Sequence, residues 1–379
     1  MANWSSSGGG LRQCDGVVER NIIRLNGAAG PGGGLSECHG LIEGNDITQN
    51  SADAGGGLHN CMGTVRQNTI IGNRAACFGG GLAWCWGAIR NNVIAENVAG
   101  SDGGALMSCA GPIENNTIVA NSADMEGGGL ELCRGSIVNC VIWANSAPEG
   151  PELSDSSIPS YSCIRGWTGD GEGNIGHYPH FMDEAAGDYG LRTWSPCIDA
   201  GDPLFPFLEE PEPNGARINM GAYGNTSKAA SKSPNLDGDT LPDDWEVEFF
   251  GDLRYSDHDD PDGDSLSNIN EYYSGLNPNS KDTDSDGLTD EKEILAGTNP
   301  RDAGSVFAIS EVLLTESGAV VKWSAVQGKR YQVYTSLDLE SWQPKGPLLA
   351  ASGSAIFLSV LDPDALRLED VFYKVEVLQ

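Results

Sequence analysis

The chain has 379 residues, which suggests two or three structural units rather than one ordinary domain. Its 22 basic and 54 acidic residues leave a net charge of −32, which argues against a nucleic-acid partner or an anionic membrane surface, since both need clustered Lys and Arg. Hydrophobic residues at 39% are enough to bury a core, and 51 glycines, about twice the usual share, direct attention to internal repeats.

The start, Met1-Ala2-Asn3-Trp4-Ser5-Ser6-Ser7, has neither the charged nor the apolar region of a signal peptide. Gly8 already lies inside a repeat, so a chain shortened at its N-terminus is expected. No apolar stretch reaches the 18 residues or so of a transmembrane helix.

Residues 8–147 repeat with a step of 24. Cys14, Cys38, Cys61, Cys85, Cys109 and Cys133 recur at intervals of 24, 23, 24, 24 and 24. So regular a step predicts a ladder of buried, reduced thiols rather than a disulfide framework, although neighbouring coils would lie within disulfide range. Gly-Gly-Gly-Leu opens at Gly8, Gly32, Gly55, Gly79 and Gly127, with Gly103-Gly104-Ala105-Leu106 as a variant. Leu11 to Leu130, Val18 to Ile137 and Ile23 to Ile142 make three aliphatic columns, each predicted to be one short strand per repeat. Two Asn columns, Asn21 to Asn116 (broken at Cys140) and Asn26 to Asn145, are predicted at the corners, where Asn tolerates left-handed backbone. An Ala column, Ala28 to Ala147, follows at a tight corner.

Three strands and three corners per 24 residues describe a right-handed parallel β-helix of about six coils and roughly 30 Å. The coils resemble right-handed parallel β-helix repeat proteins of bacterial surfaces. The period fades in residues 148–227, where Ser195-Pro196-Cys197-Ile198-Asp199-Ala200-Gly201-Asp202-Pro203 and Asn219-Met220-Gly221-Ala222-Tyr223 resemble a choice-of-anchor-type closing segment. Such a segment covers the unpaired strand edges of the last coil. Asp199 and Asp202 are expected to bond local backbone there.

Residues 228–234 read as a linker. Charge then concentrates: residues 231–304 hold 20 acids and 5 bases. Within residues 235–303 three twelve-residue windows share one pattern. The first carries Asn235, Asp237, Asp239, Asp243 and Glu246 at positions 1, 3, 5, 9 and 12. The second carries Asp260, Asp262, Asp264, Asn268 and Glu271, and the third Asp282, Asp284, Asp286, Asp290 and Glu293. This spacing of oxygens suits a hard cation with six to eight ligands, so several Ca²⁺ ions are expected, and Mg²⁺ fits less well. The windows resemble bacterial thrombospondin type 3 repeats, whose loops are followed by a short helix ending in Gly-x-Asn-Pro, here Gly275-Leu276-Asn277-Pro278 and Gly297-Thr298-Asn299-Pro300. The first window departs at Asn235 and Thr240 and is expected to bind most weakly.

Residues 304–379 alternate apolar and polar in about six runs. They predict a small β-sandwich resembling fibronectin- or immunoglobulin-like modules, with Trp323 and Trp342 in its core. The expected whole is therefore all-β: β-helix, calcium-loop segment and β-sandwich.

Parallel β-helices also host polysaccharide lyases and glycoside hydrolases, which need clustered acids or a cation with a base. In the columns beside Leu and Cys no paired acids line up on adjacent coils. The best cluster for catalysis is Asp15, Glu37, His39 and His59. Trp84 and Trp86, with His39 and His59, are the candidate glycan-binding residues, because sugars stack on indoles. A further column, Glu19, Glu43, Arg66, Arg90 and Glu114, predicts ion pairs Glu43–Arg66 and Arg90–Glu114. The leading expectation is an extracellular or cell-surface calcium-binding protein of adhesive or glycan-binding role, with polysaccharide or cell-surface glycan as partner. The alternative is a carbohydrate-active β-helix enzyme with accessory modules.

Overall fold

Each inward aliphatic column buries its side chains only if successive repeats stack in register, and that is the arrangement in a computed structural model of the chain. It describes residues 3–326, 328–351, 357–367 and 371–378. The chain divides into two units, residues 1–237 with 242–245, and residues 238–241 with 246–379.

The first unit is a right-handed parallel β-solenoid of about six turns. Leu58 pairs with Leu35 and Leu82, Val65 with Ile42 and Ile89, and Ile70 with Ile47 and Ile94, so every column lies on its own sheet. Leu35 to Leu130, Ile42 to Ile113, and Ile47 to Ile142 are fully buried, as are Cys38, Cys61, Cys85, Cys109 and Cys133. Each such Leu or Ile contributes about 1.5–3 kcal/mol by leaving water. The ten cysteines are free, and the ladder thiols donate to the carbonyl two residues back, as Cys38 does to Ser36 at 3.5 Å and Cys109 to Met107 at 3.6 Å.

Two expectations change. The coil has four strands, not three, because the Gly27–Ala28, Ser51–Ala54, Arg74–Phe78, Val98–Ala99 and Ser122–Ala123 segments pair into a fourth parallel sheet. Small residues there let the turning chain lie flat against its neighbour. Nor do the ladder asparagines adopt left-handed backbone. That conformation falls on the residue before each, such as Gln49 (φ 55°) before Asn50 and Glu96 (φ 56°) before Asn97. This frees each Asn to point inward. The backbone N–H and Nδ2 of Asn73 both donate to Asn97 Oδ1, at 3.0 and 2.9 Å, and Asn73 Nδ2 also donates to Ile47 O at 2.8 Å. The second Asn ladder ends on a carboxylate. Asn145 Nδ2 donates to Glu152 Oε2 at 2.7 Å. Both predicted ion pairs form, Arg66–Glu43 at 3.0 Å and Arg90–Glu114 at 2.8 Å.

Leu153–Ser154 and Cys163–Ile164 extend two sheets by one strand each. The chain after them does more than cover an edge. Phe181, Tyr189, Cys197, Met220 and Ala222 pack on Val93, Ala95, Val119 and Val141, which face outward from the Ile sheet. Asn115 Nδ2 donates to Asn219 O at 3.0 Å and Asn91 Nδ2 to Gly224 O at 2.8 Å, fixing the segment along the flank. Asp202 accepts Leu204 N–H at 2.9 Å, as expected, whereas Asp199 Oδ1 has no hydrogen-bond partner.

The second unit carries helices that follow the acidic windows, of which α1 (Asp243–Phe250) crosses the division, α2 is Asn268–Ser274 and α3 is Asp290–Ala296. Beyond them lie two three-stranded antiparallel sheets. One joins Ile309–Thr315, Gly318–Ser324 and Phe357–Asp362, and the other Gln343–Ala350, Arg330–Ser336 and Phe372–Leu378. Val321, Trp323, Tyr331, Val333 and Val360 form their common core. Trp323 is fully buried, but Trp342 is only half-buried and carries Lys374 Nζ at 5.0 Å over its ring, so it is not a core residue.

Burial raises the Glu152 carboxyl to about 8, against the opposing pull of Asn145. The folded chain therefore holds a proton that the unfolded chain releases above its ordinary value of 4.5, so this group costs stability as pH rises from there to about 8. Glu152→Gln keeps an acceptor without the charge. It is expected to raise stability at pH 8 by on the order of a few kcal/mol and to change it little at pH 4, as thermal melts at both values will show.

Candidate metal centre

The acidic windows are built by the same backbone rule three times. Position 5 uses one carboxylate oxygen to accept the N–H of position 7: Asp239 from Leu241 at 2.8 Å, Asp264 from Leu266 at 2.8 Å and Asp286 from Leu288 at 2.7 Å. Position 3 accepts from position 5, Asp262 from Asp264 at 3.1 Å and Asp284 from Asp286 at 3.2 Å. Position 1 holds the turn, with Asp260 Oδ1 accepting Gly263 N–H and Asp282 Oδ1 accepting Ser285 N–H, both at 2.7 Å. At positions 3 and 5 of the second and third windows one oxygen thus folds the loop and the second is left over, whereas both oxygens of Asp260 and Asp282 accept backbone N–H groups.

In the second window the leftover oxygens converge. Asp260, Asp262 and Asp264 offer ligand atoms within 4.8 Å of one another. Asp262 Oδ2, Asp264 Oδ2, Asn268 Oδ1 and both oxygens of Glu271 are inaccessible to solvent and have no hydrogen-bond partner. Asn268 is oriented by its own Nδ2, which donates to Ser256 O at 2.8 Å. Glu271 sits in the first turns of α2, fully buried, and its carboxyl is pushed up to about 9 by burial and then by the charges of Asp262, Asp264, Asp290 and Asp260. Asp262 rises to about 6, for burial first and then the charge of Asp264.

The third window is similar with one difference. Asp282, Asp284 and Asp286 converge within 4.8 Å, and Asp284 Oδ2, Asp286 Oδ2 and Glu293 Oε2 lack partners. Asp290, at position 9, is instead held by Thr283, whose N–H and hydroxyl donate to it at 2.8 and 2.7 Å. Glu293 is fully buried and rises to about 7 through burial first, although Thr298 donates to its Oε1 at 3.1 Å. In the first window Asp243 accepts Leu236 N–H at 2.9 Å, matching Asp290, and Glu246 is fully buried. Asn235 and Asp237 complete that window in sequence. The division between the two units passes through it.

Five unpaired oxygens at four positions of the second window, shut off from solvent, are costly to leave uncompensated. An oxygen-binding divalent cation is the partner whose chemistry fits: it takes six to eight such ligands and accepts a bidentate Glu at position 12. Sequence spacing identified these residues. It did not show that half of the oxygens serve the loop's own backbone.

On the rod, the structure separates the second group of candidates. His59 and Trp84 meet edge to face with centroids 5.4 Å apart, and Phe78 joins Trp84 at 6.1 Å. Phe78 lies outside the columns beside Leu and Cys, and its place becomes evident only once the corner folds over them. Trp86 stands apart, 59% exposed. Glu37 takes Gln13 Nε2 at 2.8 Å and an ion pair from Arg12 at 3.3 Å, and these contacts, the Gln13 bond foremost, lower its pKa. Burial lowers that of His59, which Glu37 opposes. His39 Nδ1 accepts Met62 N–H at 3.4 Å, and Asp15 is exposed. The four residues therefore do not converge on one point: Glu37 is within electrostatic reach of His59, and His39 is turned to the corner.

No family model, curated protein or solved structure matches the chain. No helix among the described residues is long and apolar enough to cross a membrane.

The burial of Glu271 yields a test with opposite signs. Without calcium, Glu271→Gln is expected to stabilise the second unit, because a buried carboxylate is removed. With calcium it is expected to destabilise that unit relative to the parent chain. Melting curves in chelator and in millimolar-range calcium read both arms.

Proposed function

We propose that the protein is an extracellular or cell-surface calcium-binding protein whose β-solenoid presents a surface for glycan. The observation that carries the calcium reading is the fully buried Glu271, whose two oxygens have no hydrogen-bond partner and which ends a window of converging carboxylates. Asp260, Asp262, Asp264, Asn268 and Glu271 would hold one ion, and Asp282, Asp284, Asp286, Asp290 and Glu293 another. Calcium supplies the positive charge that the segment lacks. Modest-affinity, oxygen-only sites of this kind suit the high calcium outside cells. The likeness of the windows to thrombospondin type 3 repeats supports a segment that stiffens on binding, between a rod and a terminal module of fibronectin- or immunoglobulin-like type.

The glycan reading rests on the aromatic group His59, Phe78 and Trp84, which is half-buried and anchored by edge-to-face contacts, with Trp86 exposed beyond it. A ring with one free face on a stiff sheet loses little entropy when a sugar stacks on it. The separation of Asp15, Glu37, His39 and His59 favours binding over turnover by that cluster.

Two measurements decide these readings. Protease digestion in calcium and in chelator is expected to cut residues 235–303 much faster in chelator, with the rod resistant in both. Equal resistance would remove the ion-ordered segment. A glycan array probed with the full chain is expected to give signals that Trp84→Ala reduces about fivefold or more, one stacked ring being worth about 1 kcal/mol or more. Release of reducing ends or unsaturated uronate, lost in Glu37→Gln, would favour the enzyme instead.

A further inference from the structure

The residue before each position of the first Asn ladder takes left-handed backbone: Arg20 (φ 54°), Gly44 (φ 63°), Gln67 (φ 54°), Asn91 (φ 52°), Asn115 (φ 50°) and Asn139 (φ 55°). On the later coils the chain itself uses this column. Asn91 Nδ2 donates to Ala222 O at 3.0 Å and to Gly224 O at 2.8 Å, Asn115 Nδ2 donates to Asn219 O at 3.0 Å, and Asn139 Oδ1 accepts Asp202 N–H at 2.6 Å. On the earlier coils no residue of the closing segment bonds it. There Arg20 and Gln67 are exposed, and their side chains make no hydrogen bond or ion pair among the described residues.

A groove of about 440 Å³ opens where this free part of the column meets the end of the closing segment. Its lining includes Arg20, Asp46, Gln67, Thr69, Tyr223 and Lys228, all in the first unit. Asp46 and Thr69 are partners across neighbouring strands and face outward, while Ile47 and Ile70 beside them face the core. Lys228 stands over the Tyr223 ring, with Nζ 5.9 Å from its centroid. Arg66 and Arg90, next to the column, are neutralised by Glu43 and Glu114. Arg20 and Lys228 have no carboxylate partner among the described residues. Two cations and one carboxylate give the groove a local charge of +1 in a chain of −32.

We propose that this groove binds a carboxylate-bearing saccharide, a uronate unit of an acidic polysaccharide. Its carboxylate fits Arg20 and Lys228, the arginine offering two parallel N–H donors. Its ring hydroxyls, which both donate and accept, fit the Asp46 carboxylate, the Thr69 hydroxyl and the Gln67 amide. None of these three groups is engaged by another side chain or by backbone among the described residues. A neutral sugar would leave both cations unpaired. An anion without hydroxyls would meet Asp46 with no donor to offer it. The volume lies towards the small end of ligand sites, roughly 300–1,000 Å³, which suits a short stretch of polymer. The groove sits between the Val and Ile sheets, whereas His59 lies on the Leu sheet and Phe78 on the fourth, so the inference stands apart from the glycan reading of that aromatic group.

The test is calorimetric titration of the full chain in chelator, so that calcium bridges no carboxylates. The probes are galacturonate, glucuronate and mannuronate trisaccharides and their neutral galactose, glucose and mannose counterparts. At least one uronate is expected to bind about tenfold or more tighter than its neutral counterpart, and to weaken as salt rises. Arg20→Gln and Lys228→Gln are each expected to weaken it about tenfold, and Trp84→Ala to leave it unchanged. Both cations are exposed, and unchanged far-ultraviolet circular dichroism checks that the rod persists. Binding of no uronate, equal binding of acidic and neutral sugars, or uronate binding that survives Arg20→Gln with Lys228→Gln would each overturn the groove. Loss in Trp84→Ala without loss in that double variant would place the ligand on the aromatic group instead, so the two glycan sites stand or fall separately.

Discussion

Everything in the rod depends on one constraint: each coil must find its hydrogen-bond partners on the coil one period away. Strands of two or three residues cannot persist alone, since their few bonds do not offset the entropy of ordering. Repetition solves this by giving every strand a neighbour on each side. The Asn ladder adds a second layer of the same logic at the corners, where backbone turns away from its strand partners. Each Asn amide accepts from the N–H and side chain of the Asn one coil earlier and donates back to a carbonyl, so the corner is satisfied without water. Beyond the last Asn of the first ladder, the Cys140 N–H donates to the Ser162 hydroxyl at 3.0 Å, so a Ser takes the place of Asn as acceptor on that coil.

The acidic windows invert that economy. Their backbone is also satisfied internally, by both oxygens of Asp260 and Asp282 and by one oxygen each of Asp262, Asp264, Asp284 and Asp286, but the second oxygens of those four find no protein partner. The same group that closes the loop therefore creates the demand for a cation. Helices α2 and α3 begin where the demand is greatest, and carry Glu271 and Glu293 into the site from their first turns. Their left-handed glycine caps, Gly275 and Gly297, stop them after two turns, and the chain leaves each helix there. Loop, ligand and helix are thus one unit of construction.

Much of this was legible in the chain because period makes position readable. A column such as Ile23 to Ile142 declares its own environment: six aliphatics at one phase must share one face, and they do. The convergence of Asp260 with Asp262 and Asp264, and of Asp282 with Asp284 and Asp286, was legible for the same reason, since three sequences share one spacing. What resisted was anything that depends on contact between different phases of the coil. Phe78 and Trp84 meet because a corner folds over a strand. Trp342 shows the limit in the terminal module, where alternation alone does not say which face of a strand turns to the core.

The sequence by itself determined the solenoid, its step, its inward columns and the spacing of the candidate ligands, because a repeated pattern can bury its apolar residues in only one register. Only the tertiary structure decided that the coil has a fourth strand, that the left-handed turn precedes each Asn, and that residues after the coils lie along the flank. It also decided which oxygens are consumed by backbone and which are left without a hydrogen-bond partner. These outcomes depend on how corners fold in three dimensions, and a linear pattern carries the phase of a residue around the coil but not the path of the backbone between phases.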